Sequence, residues 1–145
     1  MKIALSTLPP GGLTAVVNPQ FGRTPLFTIV DVDENGKIID VKVIQNPGTQ
    51  AMHGAGPLAA QTIAREGVNV VISGNFGPNA FQALANFGIS AYMVPPNITV
   101  KDAITMFLSG QLPPATSAGP GRGRGFGRGM GMGRGRGMGR GWQSW

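Results

Sequence analysis

Residues 26–45, LFTIVDVDENGKIIDVKVIQ, decide how this chain begins to fold. The runs at 26–32 and 37–45 are rich in valine and isoleucine, which favour strands, and the polar DENG lies between them. Asn35-Gly36 predicts a two-residue hairpin turn of type I′, in which both central residues take positive φ. The stretch therefore predicts two neighbouring antiparallel strands.

Three shorter apolar runs extend this pair into a larger sheet. Residues 2–6, KIALS, predict a first strand. Residues 68–73 and 90–94, VNVVIS and SAYMV, have the short and continuous apolar character of buried parallel strands. Parallel strands beside an antiparallel hairpin predict a mixed sheet.

Three amphipathic helices are predicted between and after these strands. Small or apolar residues recur at i, i+3, i+4 and i+7 from Ala55, Ala80 and Val100, and a glycine follows each run. Thr99 precedes the third helix and Asp102 follows three residues later, which predicts a capped N-terminus. The pattern as a whole is that of an α/β protein.

The first two helices begin differently from the third. GPLAAQTIA (56–64) and GPNAFQALA (77–85) each place a proline at the first helical position, behind a glycine as N-cap. Because glycine has no side-chain oxygen, the N–H groups of the first turn need either water or an external anion as their partner. The residues alone leave both interpretations open, although two such starts favour a ligand more than one does.

The only histidine, His53, and Arg23 are candidates for the same region. In parallel α/β layouts the helix N-termini face the carboxyl ends of the strands, where ligands bind. His53 is there either a residue beside the helix dipoles or a polar residue of a surface loop. Arg23 adds a bidentate positive charge if its loop reaches this edge. We expect the edge to gather the loops 7–12, 53–56, 74–77 and 95–97.

The net charge of +6 belongs to the C-terminal part of the chain. Residues 1–118 carry equal numbers of basic and acidic side chains, so the excess comes from arginines beyond them. From 119 to 141 every odd-numbered residue is glycine, a composition with high backbone entropy and little apolar surface. We predict an ordered domain at 1–112, a linker at 113–118 and a disordered tail at 119–145.

The tail leaves three interpretations open. Arginine spaced by glycine, with Phe126, Trp142 and Trp145, is typical of segments that bind RNA or single-stranded DNA weakly through phosphate attraction and base stacking. The tail methionines are soft ligands that suit copper(I). The third interpretation is a flexible tail without a specific function.

Composition also excludes several classes of protein. The chain has no cysteine, hence no disulfide and no thiolate metal site. Its N-terminus has three consecutive apolar residues, too few for a signal peptide or membrane span, so we expect a cytoplasmic protein without membrane contact. The carboxylates crowd around the hairpin turn, which favours a solvated loop over a nuclease-type metal site, and no catalytic motif accompanies His53. We therefore expect no enzymatic activity.

The phrases NPQFGRTPLFTIVDVD, HGAG and GNFGPNAFQAL, in this order, resemble the dinitrogenase iron–molybdenum cofactor biosynthesis family over roughly residues 1–112. The resemblance implies a ribonuclease-H-like α/β fold: a mixed five-stranded sheet with one antiparallel hairpin and three helices. It also implies binding or carriage of an iron–sulfur or molybdenum–sulfur cluster or precursor, together with donor and acceptor proteins for that cluster. Relatives occur in organisms without nitrogenase, so the role need not involve nitrogenase.

Carried over to this sequence, the resemblance implies a binding edge whose residues flank the two Gly-Pro helix starts. Family members often have a histidine where this chain has Gln20, and the cysteines of some relatives are absent. We therefore expect the cluster to be bound non-covalently, with His53 as the one side chain that can ligate a metal. The expected binding residues are Arg23, His53, Gly54, Gly56, Asn75, Phe76, Gly77 and Asn79.

Overall fold

The computed structural model describes residues 1–50 and 53–115. The predicted tail, 119–145, and the end of the predicted linker, 116–118, lie outside the described residues. The described part contains a five-stranded sheet in the order β3-β2-β1-β4-β5. Its strands are β1 (Lys2–Thr7), β2 (Leu26–Val32), β3 (Ile38–Gln45), β4 (Val70–Ser73) and β5 (Ser90–Met93).

The pairing directions confirm the predicted mixed sheet. β2 is antiparallel to both β1 and β3, whereas β4 is parallel to both β1 and β5. The expected hairpin is therefore β2–β3, and β1 joins it to the parallel half of the sheet. The name ribonuclease-H-like rests on the resemblance alone.

The hairpin turn differs from the predicted type I′ turn. Asn97 is the one described non-glycine residue with positive φ, so Asn35 does not take the conformation that a type I′ turn requires. The Gly36 N–H instead donates to the Asp33 carbonyl at 3.0 Å, and the Asp33 carboxylate accepts from the N–H groups of Asn35 and Lys37, both at 2.9 Å. The local carboxylate thus selects a longer turn in which Gly36 alone takes positive φ, 81°.

The three predicted helices are present as α1 (Ala55–Arg65), α2 (Pro78–Asn86) and α3 (Val100–Leu108), and a short 3-10 helix spans Pro47–Gln50. The starts of α2 and α3 are confirmed at Gly77 and Thr99, and the Thr99 side chain accepts from the Asp102 N–H. The predicted start of α1 is wrong by two residues, because its N-cap is Gly54 and not Gly56. Gly54 takes a left-handed conformation, φ 71°, which directs the chain into the helix earlier.

Two hydrophobic clusters lie on opposite faces of the sheet because successive strand residues alternate in direction. One cluster packs α1 and α2 against the sheet, with Ile63 and Leu84 from the helices and Phe27 from β2. The other packs α3 against the opposite face, with Ile104 against Ile3. The helices α1 and α2 are thus neighbours on one face, which brings their N-termini to the same edge.

The chain after α3 returns to the sheet. Leu112 is buried, and the Met93 N–H donates to the Pro113 carbonyl at 3.1 Å. The Ala115 N–H donates to the Ala91 carbonyl at 2.9 Å. The described part of the predicted linker, 113–115, therefore lies along β5. Among the described helices, none has both the length and the apolar character needed to cross a membrane.

Candidate functional site

Hydroxyl groups at the carboxyl ends of β1 and β4 anchor the loop that follows residue 17. The Ser6 hydroxyl donates to the Asn18 carbonyl at 2.7 Å, and its oxygen lies at hydrogen-bond distance, 2.8 Å, from the Ser73 hydroxyl. The Asn18 N–H in turn donates to the Ser6 carbonyl at 2.7 Å. Ser6 and Ser73 are fully buried, so these bonds replace water contacts and fix where the loop leaves the sheet.

The next residues of this loop are fixed by an aromatic ring and a buried amide. The Phe21 ring is buried between Phe27 and Phe76, with ring centroids 5.4 and 5.3 Å away. The Asn46 side-chain amide donates to the carbonyls of Gly22 and Thr24, at 3.0 and 2.8 Å. Arg23 lies between these two carbonyls and has an exposed side chain, so the backbone that carries it is held on both sides.

The N-termini of α1 and α2 have no cap from a side chain and no acidic residue in the first turn. In α1 the first-turn residues Ala55 and Gly56 carry N–H groups that no intrahelical carbonyl accepts, and in α2 the same holds for Asn79 and Ala80. Helix N-termini carry a partial positive charge. Two uncapped ends together therefore form a region suited to negative charge.

Glycines allow the segments around these helix ends to approach closely. A Cβ atom on Gly56 would lie 2.7 Å from the Ala80 Cβ atom, so a larger residue would push α1 from α2. A Cβ atom on Gly22 would lie 3.1 Å from the Gly56 backbone nitrogen. The first turns of both helices and the Gly22 loop are therefore in direct contact.

An open pocket of about 340 Å³ lies where these segments meet. Among the described residues that line it, Arg23 is the one charged side chain, and no carboxylate is present. The lining residues are Gln20, Phe21, Gly22, Arg23, Gly54, Ala55, Gly56, Pro57, Asn75, Gly77, Pro78, Asn79 and Ala80.

The sequence pattern of the dinitrogenase iron-molybdenum cofactor family matches residues 1–110, most of the chain and the whole of this pocket. The chain belongs to this family. A 38% identical relative is an uncharacterized protein of Methanocaldococcus jannaschii, aligned over 96 residues, which are 66% of this chain and 80% of the relative.

Solved structures of other proteins share the family fold. The apo form of the orange protein from Desulfovibrio gigas is 36% identical, with a TM-score of 0.73 over 81% of this chain and 94% of that one. A candidate NifB protein from Thermotoga is 31% identical, with a TM-score of 0.63 over 77% of this chain and 90% of that one. Both likenesses extend over more than three quarters of this chain rather than over an isolated motif.

The structure brings six of the eight expected binding residues of this family member into the pocket lining: Arg23, Gly54, Gly56, Asn75, Gly77 and Asn79. Phe76 is not among the lining residues, because its ring is buried and packs on Phe21. His53 does not line the pocket either. His53 is exposed and directly precedes Gly54, the N-cap of α1. Gly54 lines the pocket, whereas His53 does not.

The edge also differs from the expected set of loops. Residues 7–12 and 95–97 do not line the pocket, and the loop at 20–23 takes their place. The Gly12 N–H bonds to the Thr28 hydroxyl at 3.0 Å, which ties the 7–12 loop to β2. Gln20 pairs with Asn75 through an isolated parallel bridge. The two residues are far apart in sequence, so a local sequence pattern does not predict this contact. The Phe21-Gly22 pair beside Arg23 was the available signal for this loop.

Side chains in the described ranges do not form a multidentate metal site. Within residues 1–50 and 53–115, no group of three or more His, Cys, Asp or Glu side chains is placed to hold a metal ion. The polar groups that the pocket offers are backbone N–H groups, the amides of Gln20, Asn75 and Asn79, and the Arg23 guanidinium. This set of donors recognises an anion rather than a bare cation.

Proposed function

We propose that this protein binds and carries an anionic metal–sulfur cluster or its precursor, without catalytic turnover, during the assembly of a metallocofactor. The observation that carries the proposal is the convergence of two uncapped helix N-termini and Arg23 on one pocket, whose described lining residues include no carboxylate. Family membership supplies the class of cargo, since the family is that of the dinitrogenase iron-molybdenum cofactor.

The cargo would be held as a whole anion. The N–H groups of Ala55 and Gly56 approach from α1, and those of Asn79 and Ala80 approach from α2, toward the sulfide surface of the cluster. Arg23 adds a charge-assisted contact from the third side. Sulfide and oxide anions accept such bonds without a covalent link to the protein, which suits a cargo that has to be delivered onward.

His53 contributes a secondary contact in this proposal. Its imidazole lies next to the Gly54 N-cap, outside the pocket wall, where a neutral ring nitrogen can reach a metal at the exposed side of a cluster. The proposal therefore keeps His53 as the one candidate metal ligand and assigns most of the affinity to the backbone donors and Arg23.

The name of one relative supports a coloured cargo. The orange protein was solved in its apo form, and a polypeptide without a bound group does not absorb visible light. A cluster carrier needs proteins that supply and accept the cluster, and these remain part of the proposal.

The role does not require nitrogenase. The ribonuclease-H-like fold name and binding of nucleic acid by the tail stay predictions.

The proposal is tested by titrating the full-length protein, under anaerobic conditions, with tetrathiomolybdate while the visible absorbance is recorded. We expect saturation at one equivalent or fewer. Gly77→Asp should weaken binding roughly ten-fold or more, because its carboxylate caps α2 and repels the anion. A side chain fits at this position, since Gly77 has φ −69° and open space around a Cβ atom.

Gly77→Asn is the matched control. Its side chain has nearly the same size and can also cap α2, but it carries no charge. We expect it to retain most of the wild-type affinity. Equal affinity for all three proteins would rule out the helix ends as the binding site, and an absence of any spectral change in the wild type would reject the cargo class.

A further inference from the structure

The two edge strands of the sheet, β5 and β3, differ in whether other described residues bond to their outer sides. β5 is covered on its outer side, because residues 113–115 bond to Met93 and Ala91. β3 pairs with β2 on its inner side, and no described residue pairs with its outer side. With eight residues, Ile38–Gln45, β3 is also the longest strand. An open edge of this length is a template for pairing with another strand.

One face of β3 is apolar and exposed. Val41 and Val43 share a face with Val30 and Thr28, their partners on β2, and are 37% and 42% exposed, whereas Val30 is fully buried. A bulge at Ile39, between the Asp31 and Val32 pairs of the ladder, is the one irregularity in β3. Because Ile38 pairs with Val32, this bulge interrupts the alternation of faces, and the exposed apolar face of β3 consists of Val41 and Val43.

The hydrogen-bond pattern shows which residues of β3 face outward. The Asn46 N–H donates to the Pro25 carbonyl at 3.1 Å, in the register that continues as Leu26 opposite Gln45. Bonded and non-bonded pairs alternate along an antiparallel ladder. The backbone groups of Val41 and Val43 therefore point away from β2, toward the open side.

The opposite face of β3 carries one negative and one positive side chain, Asp40 and Lys42. Asp40 lies directly across from Asp31, and like charges in this position oppose each other. Asp31 has the N-terminal ammonium at 3.5 Å, whereas Asp40 forms no ion pair with a described residue. Lys42 is two residues from Asp40 on the same face, with its ammonium 2.7 Å from Glu66.

We propose that β3 pairs with β3 of a second copy of this chain, antiparallel, with Val41 opposite Val41 on a two-fold axis. This register brings the exposed Val41 side chains of the two copies together on one face of the joined sheet. It also places Asp40 opposite Lys42 of the second copy twice, so that each of these two carboxylates faces an opposite charge. The two outward-facing Val41 residues exchange their backbone hydrogen bonds, as the pattern along β3 requires.

Neighbouring registers fit less well. A shift that places Lys42 on the axis sets lysine opposite lysine, and one that places Val43 on the axis sets Lys42 opposite Ile44. The interface consists of one strand pair and a narrow apolar row, so its area falls toward the low end of specific interfaces, below about 1,200 Å². The dimer should therefore form in a concentration-dependent way. This inference does not depend on the proposed cargo.

The experiment is sedimentation velocity of the full-length protein across a wide concentration range, with two charge reversals. Asp40→Lys sets lysine against lysine, and Lys42→Asp sets aspartate against aspartate, twice in each case. Each variant alone should associate roughly ten-fold or more weakly than wild type. In an equimolar mixture of the two variants, every cross-strand pair again joins a lysine to an aspartate, and association should return.

Lys101→Asp, a charge reversal on the exposed side of α3, is the control and should behave as wild type. Three results would overturn the proposal. A wild-type protein that stays monomeric, with the β3 amides protected from hydrogen exchange, shows that another segment of the same chain covers the edge. A dimer that both reversals leave intact uses a different surface. Variants that fail to associate when mixed exclude the register.

Discussion

The N-terminus of α3 differs from those of α1 and α2 in how its first-turn N–H groups find hydrogen-bond partners. α3 has Thr99, whose side chain accepts from the Asp102 N–H. The negative charge of Asp102 also interacts favourably with the positive end of the helix dipole. α1 and α2 have glycine N-caps and no acid in the first turn. The capped end lies on the face away from the pocket, and the two uncapped ends meet at it. The cap stabilises α3, whereas under the proposed function the uncapped ends of α1 and α2 keep their N–H groups available for the ligand.

The largest effect is expected from separating the two uncapped ends. Gly56→Val places a branched side chain where even a Cβ atom would lie 2.7 Å from the Ala80 Cβ atom. We expect a loss of about 2 kcal/mol in the free energy of unfolding and loss of measurable thiomolybdate binding. Urea unfolding and the visible titration measure the two effects. Gly77→Ala is the control, and a similar loss there would show that the close approach is not the cause.

Removal of the cap from α3 should lower the free energy of unfolding, and addition of a cap to α2 should raise it. Thr99→Ala removes the side-chain cap of α3 and should cost about 1 kcal/mol, with no change in cargo affinity. Gly77→Asp should instead raise the free energy of unfolding by about 0.5–1 kcal/mol while it weakens binding. Thermal and urea unfolding of both variants test this. A Thr99→Ala protein that loses cargo affinity would remove the distinction between the two kinds of helix end.

Arg23→Gln should weaken thiomolybdate binding roughly five-fold. The side chain is exposed, so solvent screening reduces its contribution below that of a buried charge. Arg23→Lys should keep part of the affinity, because it retains the charge but not the planar fork. Lys101→Gln removes a charge far from the pocket, and an equal loss in that variant would point to net charge rather than to contact.

His53→Gln is expected to have the smallest effect, less than about two-fold in affinity at neutral pH. The reason is its position, since His53 does not line the pocket whereas Gly54 does. The visible spectrum of the bound cluster is the second measurement. A ten-fold loss together with a spectral shift would show that His53 ligates a metal directly and carries more of the binding than the backbone donors.

The sequence predicted the elements of this fold better than their ends. The run rich in valine and isoleucine located β2 to the residue, and the Gly-Pro pair located the start of α2. The same pair misplaced the start of α1, because the conformation of Gly54 depends on how the preceding loop arrives. The turn at Asn35 was also misassigned, since the Asp33 carboxylate competes for the local N–H groups.

The candidate site shows where local patterns stop being informative. The glycines and Arg23 were recognisable because uncapped helix starts and a guanidinium have chemistry of their own. Phe76 was included with them because a pattern of neighbours does not tell which way a ring points, and it points into the core. Gln20 and Gly22 reach the pocket through contacts with Asn75 and Gly56, which lie more than thirty residues away in sequence.

The return of residues 113–115 along β5 means that β5 stays covered only in a chain that keeps these residues. A truncation after Ala115 leaves both backbone bonds to β5 intact. A truncation after Leu112 frees the N–H of Met93 and the carbonyl of Ala91, and it makes the second edge of the sheet as open as the first. A sheet with two open edges can add molecules at both sides without limit, so the shorter chain would tend toward aggregation rather than a closed assembly.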